Sequence, residues 1–181
     1  MYFYRCSEKA YLMKLKFIIP FLLLGSFVEA QIVTIPNSNF KAKLLAASPS
    51  NYIAKNLSDV YFKIDANDDG EIQTTEAQQV SYLDVSYSSI SSIDGIQSFT
   101  NIAQLNCGLN TMNAISLSGL THLTELRCAS NTFTALNLNG LTALTTLICS
   151  GNNIATLNLS GLPNLETVDC SKNQLTWLNV S

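Results

Sequence analysis

The sequence predicts a solenoid: a short parallel β-sheet built from about five coils, each twenty-one or twenty-two positions long, preceded by a small helical N-terminal cap. Three observations predict it. Four cysteines, Cys107, Cys128, Cys149 and Cys170, follow one another at a constant interval, and apolar residues and an asparagine recur with them in fixed register. The region before them, residues 31–79, has no such period and a different composition. The 181 residues carry 13% charged and 47% hydrophobic side chains with a net charge of -3, which argues against disorder and against a nucleic-acid partner, because phosphate contacts need clustered Lys and Arg.

The first element is a leader. Lys14 and Lys16 precede the apolar run from Phe17 to Val28, and Val28-Glu29-Ala30 places small residues at the last and third-last positions. This is the pattern of a signal peptide over residues 1–30, cleaved near Ala30. The apolar run, interrupted by Pro20, is too short to span about 30 Å of hydrocarbon, so no transmembrane segment is expected. The chain is therefore expected to be secreted, extracellular or at the cell surface. Residues 31–181 then hold six basic and eleven acidic side chains, a net charge of -5.

The cap, residues 31–79, is expected to hold a helix over Phe40 to Ala47, capped by Ser38 or Asn39 and ended by Ser48-Pro49, and a second helix from about Asn51 to Phe62. It then reads Asp65-Ala66-Asn67-Asp68-Asp69-Gly70-Glu71-Ile72-Gln73-Thr74-Thr75-Glu76. Residues 65–76 fit the twelve-residue pattern D-x-[DN]-x-[DN]-G-x₅-E at every fixed position. Ca²⁺ takes six to eight oxygens, and a tightly wound loop presents them from positions 1, 3, 5, 7, 9 and 12. Those positions are Asp65, Asn67, Asp69, the carbonyl of Glu71, Gln73 and Glu76, with Gly70 at the sharp turn. The segment resembles the calcium loop of the EF-hand and dockerin type. It departs from that type in its short exit helix, about Thr75 to Gln79, and in lacking a second, paired loop. An acidic, turn-rich connector without a bound ion is the other reading.

The repeats occupy residues 80–181. They read Ile102-x-x-Leu105-x-Cys107-x-x-Asn110-x-Met112, Leu123-x-x-Leu126-x-Cys128-x-x-Asn131-x-Phe133, Leu144-x-x-Leu147-x-Cys149-x-x-Asn152-x-Ile154 and Leu165-x-x-Val168-x-Cys170-x-x-Asn173-x-Leu175. A degenerate copy, Val80-x-x-Leu83-x-Val85-x-x-Ser88-x-Ile90, stands one coil and one extra position upstream. The Leu-x-Cys alternation has the period of a strand, so those two positions point inward. One coil cannot bury its apolar side alone, and stacked coils share a core. Each asparagine stands where the chain turns off the strand, and its amide can satisfy backbone groups there. The cysteines are expected to be small apolar fillers, since a stacked row neither converges on a metal nor presents the dihedral a disulfide needs.

The repeats resemble the leucine-rich repeat pattern L-x-x-L-x-L-x-x-N/C-x-L. With the cap and leader, they resemble secreted, internalin-like leucine-rich repeat proteins of bacteria, in particular those of the Bacteroidetes group with L-x-x-L-x-C-S-x-N-Q-L copies, best preserved at Leu165 to Leu175. The resemblance implies a leucine-rich repeat solenoid that binds a protein or a glycan at the cell surface. The repeats run to Ser181, midway through a coil, so no C-terminal cap is expected and end-to-end self-association is.

Outward strand positions form the candidate concave surface: Tyr82, Asp84, Gln104, Asn106, Glu125, Arg127 and Asp169. Catalysis is not expected. His122 is the single histidine, and Asp84, Glu125 and Asp169 belong to coils too far apart for paired-carboxylate chemistry. The leading expectation is a non-enzymatic binding or adhesion module with Ca²⁺ in its cap. The alternative is a truncated or structural repeat protein whose only specific activity is calcium binding.

Overall fold

The computed structural model describes residues 31–180, and the expected leader lies outside them. The cap opens with helix α1, Ser38–Leu45, whose first turn is closed by Asn37: its Oδ1 accepts from Phe40 N at 2.9 Å. The cap residue is thus one position earlier than Ser38 or Asn39, because Asn37 takes the extended conformation that an N-cap needs. Phe40 and Leu44, four residues apart on one face, are fully buried. Asn51 ends the element from outside, donating to the carbonyl of Ala46 at 2.7 Å.

No helix covers residues 51–62. Strand β1, Ala54–Asn56, pairs antiparallel with β2, Val80–Asp84, placing Ala54 opposite Leu83 and Lys55 opposite Tyr82. A tight turn follows, in which Asn56 Oδ1 accepts from Ser58 N and Val60 N at 2.9 and 3.1 Å, and the chain folds back so that Phe62 N reaches Ala54 O at 3.2 Å. The expectation of a helix fails here for a tertiary reason. The first strand of a parallel stack leaves a row of unpaired backbone groups, and β1 covers that edge. Helix α2, Thr74–Ala77, is one turn, shorter than the expected Thr75 to Gln79; Glu76 Oε2 accepts from Gln73 N at 3.0 Å at its start. The cap lies closely on the first coil, since a Cβ added at Gly95 would meet the carbonyl of Thr34 at 2.7 Å.

The remaining strands follow at the repeat period: β3 Gln104–Asn106, β4 Glu125–Arg127, β5 Thr146–Ile148 and β7 Thr167–Asp169, joined to β1 and β2 in one sheet ordered β1-β2-β3-β4-β5-β7. All pairs from β2 onward are parallel, with Leu83, Leu105, Leu126, Leu147 and Val168 in register. On the opposite side of the last two coils, β6 Thr156–Asn158 pairs with β8 Trp177–Asn179. Earlier coils return without strands there, apart from a 3₁₀ turn at Ile96–Ser98.

Between the two sides lies one continuous core. Leu83, Leu105, Leu126 and Leu147 are buried beside Val85, Cys107, Cys128 and Cys149, with Phe99, Met112 and Phe133 behind them. The four thiols Cys107, Cys128, Cys149 and Cys170 are free, and the first three are buried. Two residues after each cysteine position the backbone turns left-handed, at Tyr87, Leu109, Ser130, Gly151 and Lys172. That turn aims the next residue inward, which is how Asn110, Asn131 and Asn152 come to be buried. Among the described residues of the last coil, Val168, Trp177, Leu178 and Val180 are exposed.

Candidate functional site

The parallel register places the outward side chains in two rows. One runs Tyr82, Gln104, Glu125, Thr146, Thr167; the other runs Asp84, Asn106, Arg127, Ile148, Asp169. Six of the seven residues expected on this face come together at its N-terminal half. A cavity of about 250 Å³ is lined by Tyr82, Gln104, Leu105, Asn106, Glu125 and Arg127. Asp84 adjoins it: its Oδ2 accepts from Asn106 Nδ2 at 3.0 Å and lies 3.4 Å from the Tyr82 hydroxyl, while Oδ1 accepts from Ser86 N at 2.8 Å. Arg127 and Glu125 form an ion pair on the same edge.

Asp169 is not part of this group. It lies in the Arg127 row but two strands beyond it, about 10 Å at ordinary strand spacing. Hydrogen bonds from Ser171, through its hydroxyl and its backbone N–H, hold its carboxyl below the usual carboxylate range, helped by Ser150 and Lys172. Burial pushes the Tyr82 hydroxyl up to about 12, and the neighbouring carboxylates of Asp84 and Glu125 push in the same direction. The phenol is therefore a hydrogen-bonding group, not an acid, at physiological pH.

Three cap residues extend the surface, and reading the sequence alone did not find them. Lys55 Nζ stands 5.2 Å from the centroid of the Tyr61 ring and 5.7 Å from that of Tyr82. Tyr61 packs edge-on against both Tyr52 and Tyr82, with centroids 5.2 and 6.4 Å away. Asp59, which pairs with Lys55 at 2.8 Å, raises the lysine pKa. These residues reach the concave face because β1 continues the sheet. The available sequence signal was the alternation Tyr61, Lys63 against Phe62, Ile64 beside the turn-forming Asn56-Leu57-Ser58-Asp59.

The acidic loop is closed on itself. Asp65, 5% exposed, accepts from the backbone of Asp69 and Gly70 at 3.2 and 3.1 Å. Asn67 Oδ1 accepts from Asp69 N at 3.1 Å, and Asp69 Oδ1 accepts from Glu71 N at 2.8 Å. The amide groups of Asn67 and Gln73 both donate to Asp69 Oδ2, at 2.9 and 2.7 Å. Glu76 ties both ends, accepting from Ala66 N and Gln73 N at 2.8 and 3.0 Å. Asp69 is held below the usual carboxylate range by the Glu71 N–H first, then by those amides and Lys41. The Glu71 carboxylate is engaged by Lys41 at 2.6 Å. Gly70 takes φ 79, a left-handed value that the turn requires, and Ile72 is buried beneath it. The donors are all hard oxygens of the type that suits Ca²⁺. Among the described residues no three His, Cys, Asp or Glu stand together in an arrangement ready to hold a metal ion.

Known proteins give the fold its context. Of solved structures, the functional domain of InlJ from Listeria monocytogenes, described as including a cysteine ladder, is 30% identical with a TM-score of 0.67, covering 83% of this chain and 30% of its own. An internalin, InlF, from Listeria monocytogenes is 23% identical with a TM-score of 0.54, covering 78% of this chain and 45% of its own. The chain thus spans less than half the length of either. No curated protein matches. Among the described residues no helix is long and apolar enough to cross a membrane. Residues 70–173, which hold the coils described above, match the leucine-rich repeat domain of the endo-beta-N-acetylglucosaminidase EndoS, and the chain belongs to that leucine-rich repeat family.

Proposed function

We propose that this chain is a secreted or cell-surface, non-enzymatic binding module that captures a protein partner on the concave face of its repeats. The observation that carries the reading is the cavity between Tyr82 and Arg127, set on rigid strands and continuous with the aromatic group of the cap. Tyrosine and arginine are the side chains that most often dominate protein interfaces, particularly where neighbouring groups fix their rotamers. The polar side chains around them are joined to one another, as in Asn106 to Asp84 and Arg127 to Glu125, so little ordering remains to be done on binding. Catalysis has no comparable support. His122 is exposed and meets only the Thr100 carbonyl, at 3.1 Å, and Asp84, Glu125 and Asp169 are spread over separate coils.

The test is a binding screen against arrayed extracellular proteins and glycans, using the wild type and the variant Tyr82→Ala/Asn106→Ala/Arg127→Ala. A protein ligand lost in the variant supports the reading. A ligand set made of glycans alone overturns it.

A second activity is favoured by the loop. Ca²⁺ would be held by the side chains of Asp65, Asn67, Asp69, Gln73 and Glu76 and by the carbonyl of Glu71. Bound there, the ion would stiffen the joint between α1 and β2. What supports this is the wound loop itself, with Gly70 left-handed, Asp65 buried and Glu76 already spanning its ends. In the loop as it stands the Asn67 and Gln73 amides donate to Asp69 Oδ2, the place an ion held by Asp69 would take.

A further inference from the structure

Where the cap meets the first coil there is a second depression, of about 430 Å³, whose walls include Lys43, Tyr52, Ile53, Asp84, Ser86 and Tyr87. Two features of it bear on what it could bind. Tyr52 and Tyr87 are 76% and 84% exposed, more than any other large hydrophobic side chain among the described residues. Tyr87 stands on the left-handed turn, φ 51, that later coils repeat at Leu109, Ser130, Gly151 and Lys172. The second feature is Asp84. Glu125 is paired with Arg127 and Asp59 with Lys55, but none of the ion pairs among the described residues includes Asp84. Its oxygens are held by neutral donors only, Ser86 N, Asn106 and Tyr82.

A carboxylate held by neutral hydrogen bonds in the same depression as two exposed rings is complementary to a cation with a flat or apolar stem. We propose that this depression receives an arginine or lysine side chain of the protein partner, its charge on Asp84 and its stem between Tyr52 and Tyr87. The proposal rests on the concave-face reading, since Asp84 belongs to both the outward row and this depression. The negative potential near Asp84 is also felt by Tyr82, whose hydroxyl is raised to about 12, by burial first and then by Asp84. Lys43 is the one cation in the walls. It offers the opposite selectivity, for an acidic group, and so supplies a control.

The test is an NMR titration of the full ¹⁵N-labelled chain with N-acetyl-arginine-N-methylamide, its neutral isostere N-acetyl-citrulline-N-methylamide, and N-acetyl-glutamate-N-methylamide. The arginine probe is expected to shift the amides of Ser86 and Tyr87 saturably, with affinity falling about fivefold or more in Asp84→Asn. That variant keeps an acceptor oxygen for Ser86 N, so the turn survives. Tyr87→Ala is expected to weaken the probe about threefold, and Lys43→Ala to leave it unchanged or tighten it. Equal response to citrulline, saturation by the glutamate probe that Lys43→Ala abolishes, or no saturable arginine shift by 50 mM would each overturn the proposal. If arginine fails while the Tyr82/Asn106/Arg127 variant still loses a protein ligand, only this pocket falls and the concave-face reading stands.

Discussion

The side chain of Asn131 reaches back a full coil to donate to the carbonyl of Cys107 at 3.1 Å, while donating to Cys128 O at 3.2 Å within its own coil. Its Oδ1 accepts from Met112 N at 3.0 Å. One amide thus ties two coils together and satisfies three buried backbone groups. Asn110 and Asn152 do the same on either side, and Asn173 repeats it one coil further on, donating to Cys149 O and Cys170 O at 3.0 Å each.

Removing the middle asparagine therefore orphans Met112 N, which water cannot reach, and leaves the carbonyls of Cys107 and Cys128 with one amide each, from Asn110 and Asn152. Asn131→Ala is expected to lower stability by about 3 kcal/mol, since a stranded buried group costs roughly 1–3 kcal/mol and each lost hydrogen bond about 1 kcal/mol. Asn173→Ala, at a half-exposed site, is expected to cost about 1 kcal/mol. Urea unfolding of both variants measures the difference, and equal losses would show that the row does not act through burial.

The thiols give the fold an alkaline limit. Burial pushes Cys107 and Cys149 up to about 12 and Cys128 well above the ordinary thiol value. Below about pH 7.5 these groups are protonated in both the folded and the unfolded chain, and stability does not depend on them. Between about pH 8 and 12 the unfolded thiols ionise first, the unfolded state binds fewer protons, and stability falls as pH rises. The urea midpoint should be flat from about pH 6 to 7.5 and decline above about 8, less steeply in Cys128→Ala. A midpoint that rises over that range would contradict the burial of the row.

Arg127 and Glu125 separate stability from binding. Their ion pair lies at the surface, with the arginine side chain 54% exposed, and such pairs contribute about 0–1 kcal/mol. Arg127→Ala should change the unfolding free energy by less than about 1 kcal/mol, yet weaken a concave-face ligand by about 2 kcal/mol, roughly thirtyfold. Calorimetry against the ligand and urea unfolding of the free chain read the two effects separately.

Calcium should act on the cap. For an unpaired loop of this type with Kd near 10⁻⁴ to 10⁻³ M, about 10 mM Ca²⁺ is expected to stabilise by about 1.4–2.7 kcal/mol, a rise of a few degrees in Tm. Glu76→Gln should abolish that rise. It should also lower the metal-free Tm, because Glu76 ties Ala66 to Gln73. A melting curve indifferent to millimolar Ca²⁺ and to EGTA would remove calcium from the account.

The repeats were legible because their physics is local and periodic. Leu105, Cys107 and Asn110 each do one job, and the job recurs in every coil, so inward strand positions, the outward rows and the asparagine ladder all followed from spacing. The cap was less legible. Tyr52 to Phe62 has no period, and what makes Ala54–Asn56 a strand is the unpaired edge of β2, which comes much later in the chain. With that strand misread, the aromatic group of Tyr52, Lys55 and Tyr61 was out of reach, although Tyr82 and Asp84 beside it were found. Asp169 stands in the outward row where its spacing placed it, two strands beyond Arg127 and outside the cavity, because a row along a solenoid is long.

The central claim is that the concave face is the working surface, and its most direct test is a paired affinity measurement on one ligand from the extracellular array. Tyr82→Ala/Asn106→Ala/Arg127→Ala on the concave side is compared with Asn137→Ala/Asn139→Ala on the convex return. The account predicts at least a tenfold loss in the first variant and wild-type affinity in the second. Wild-type affinity in the first, or a matching loss in the second, would contradict it.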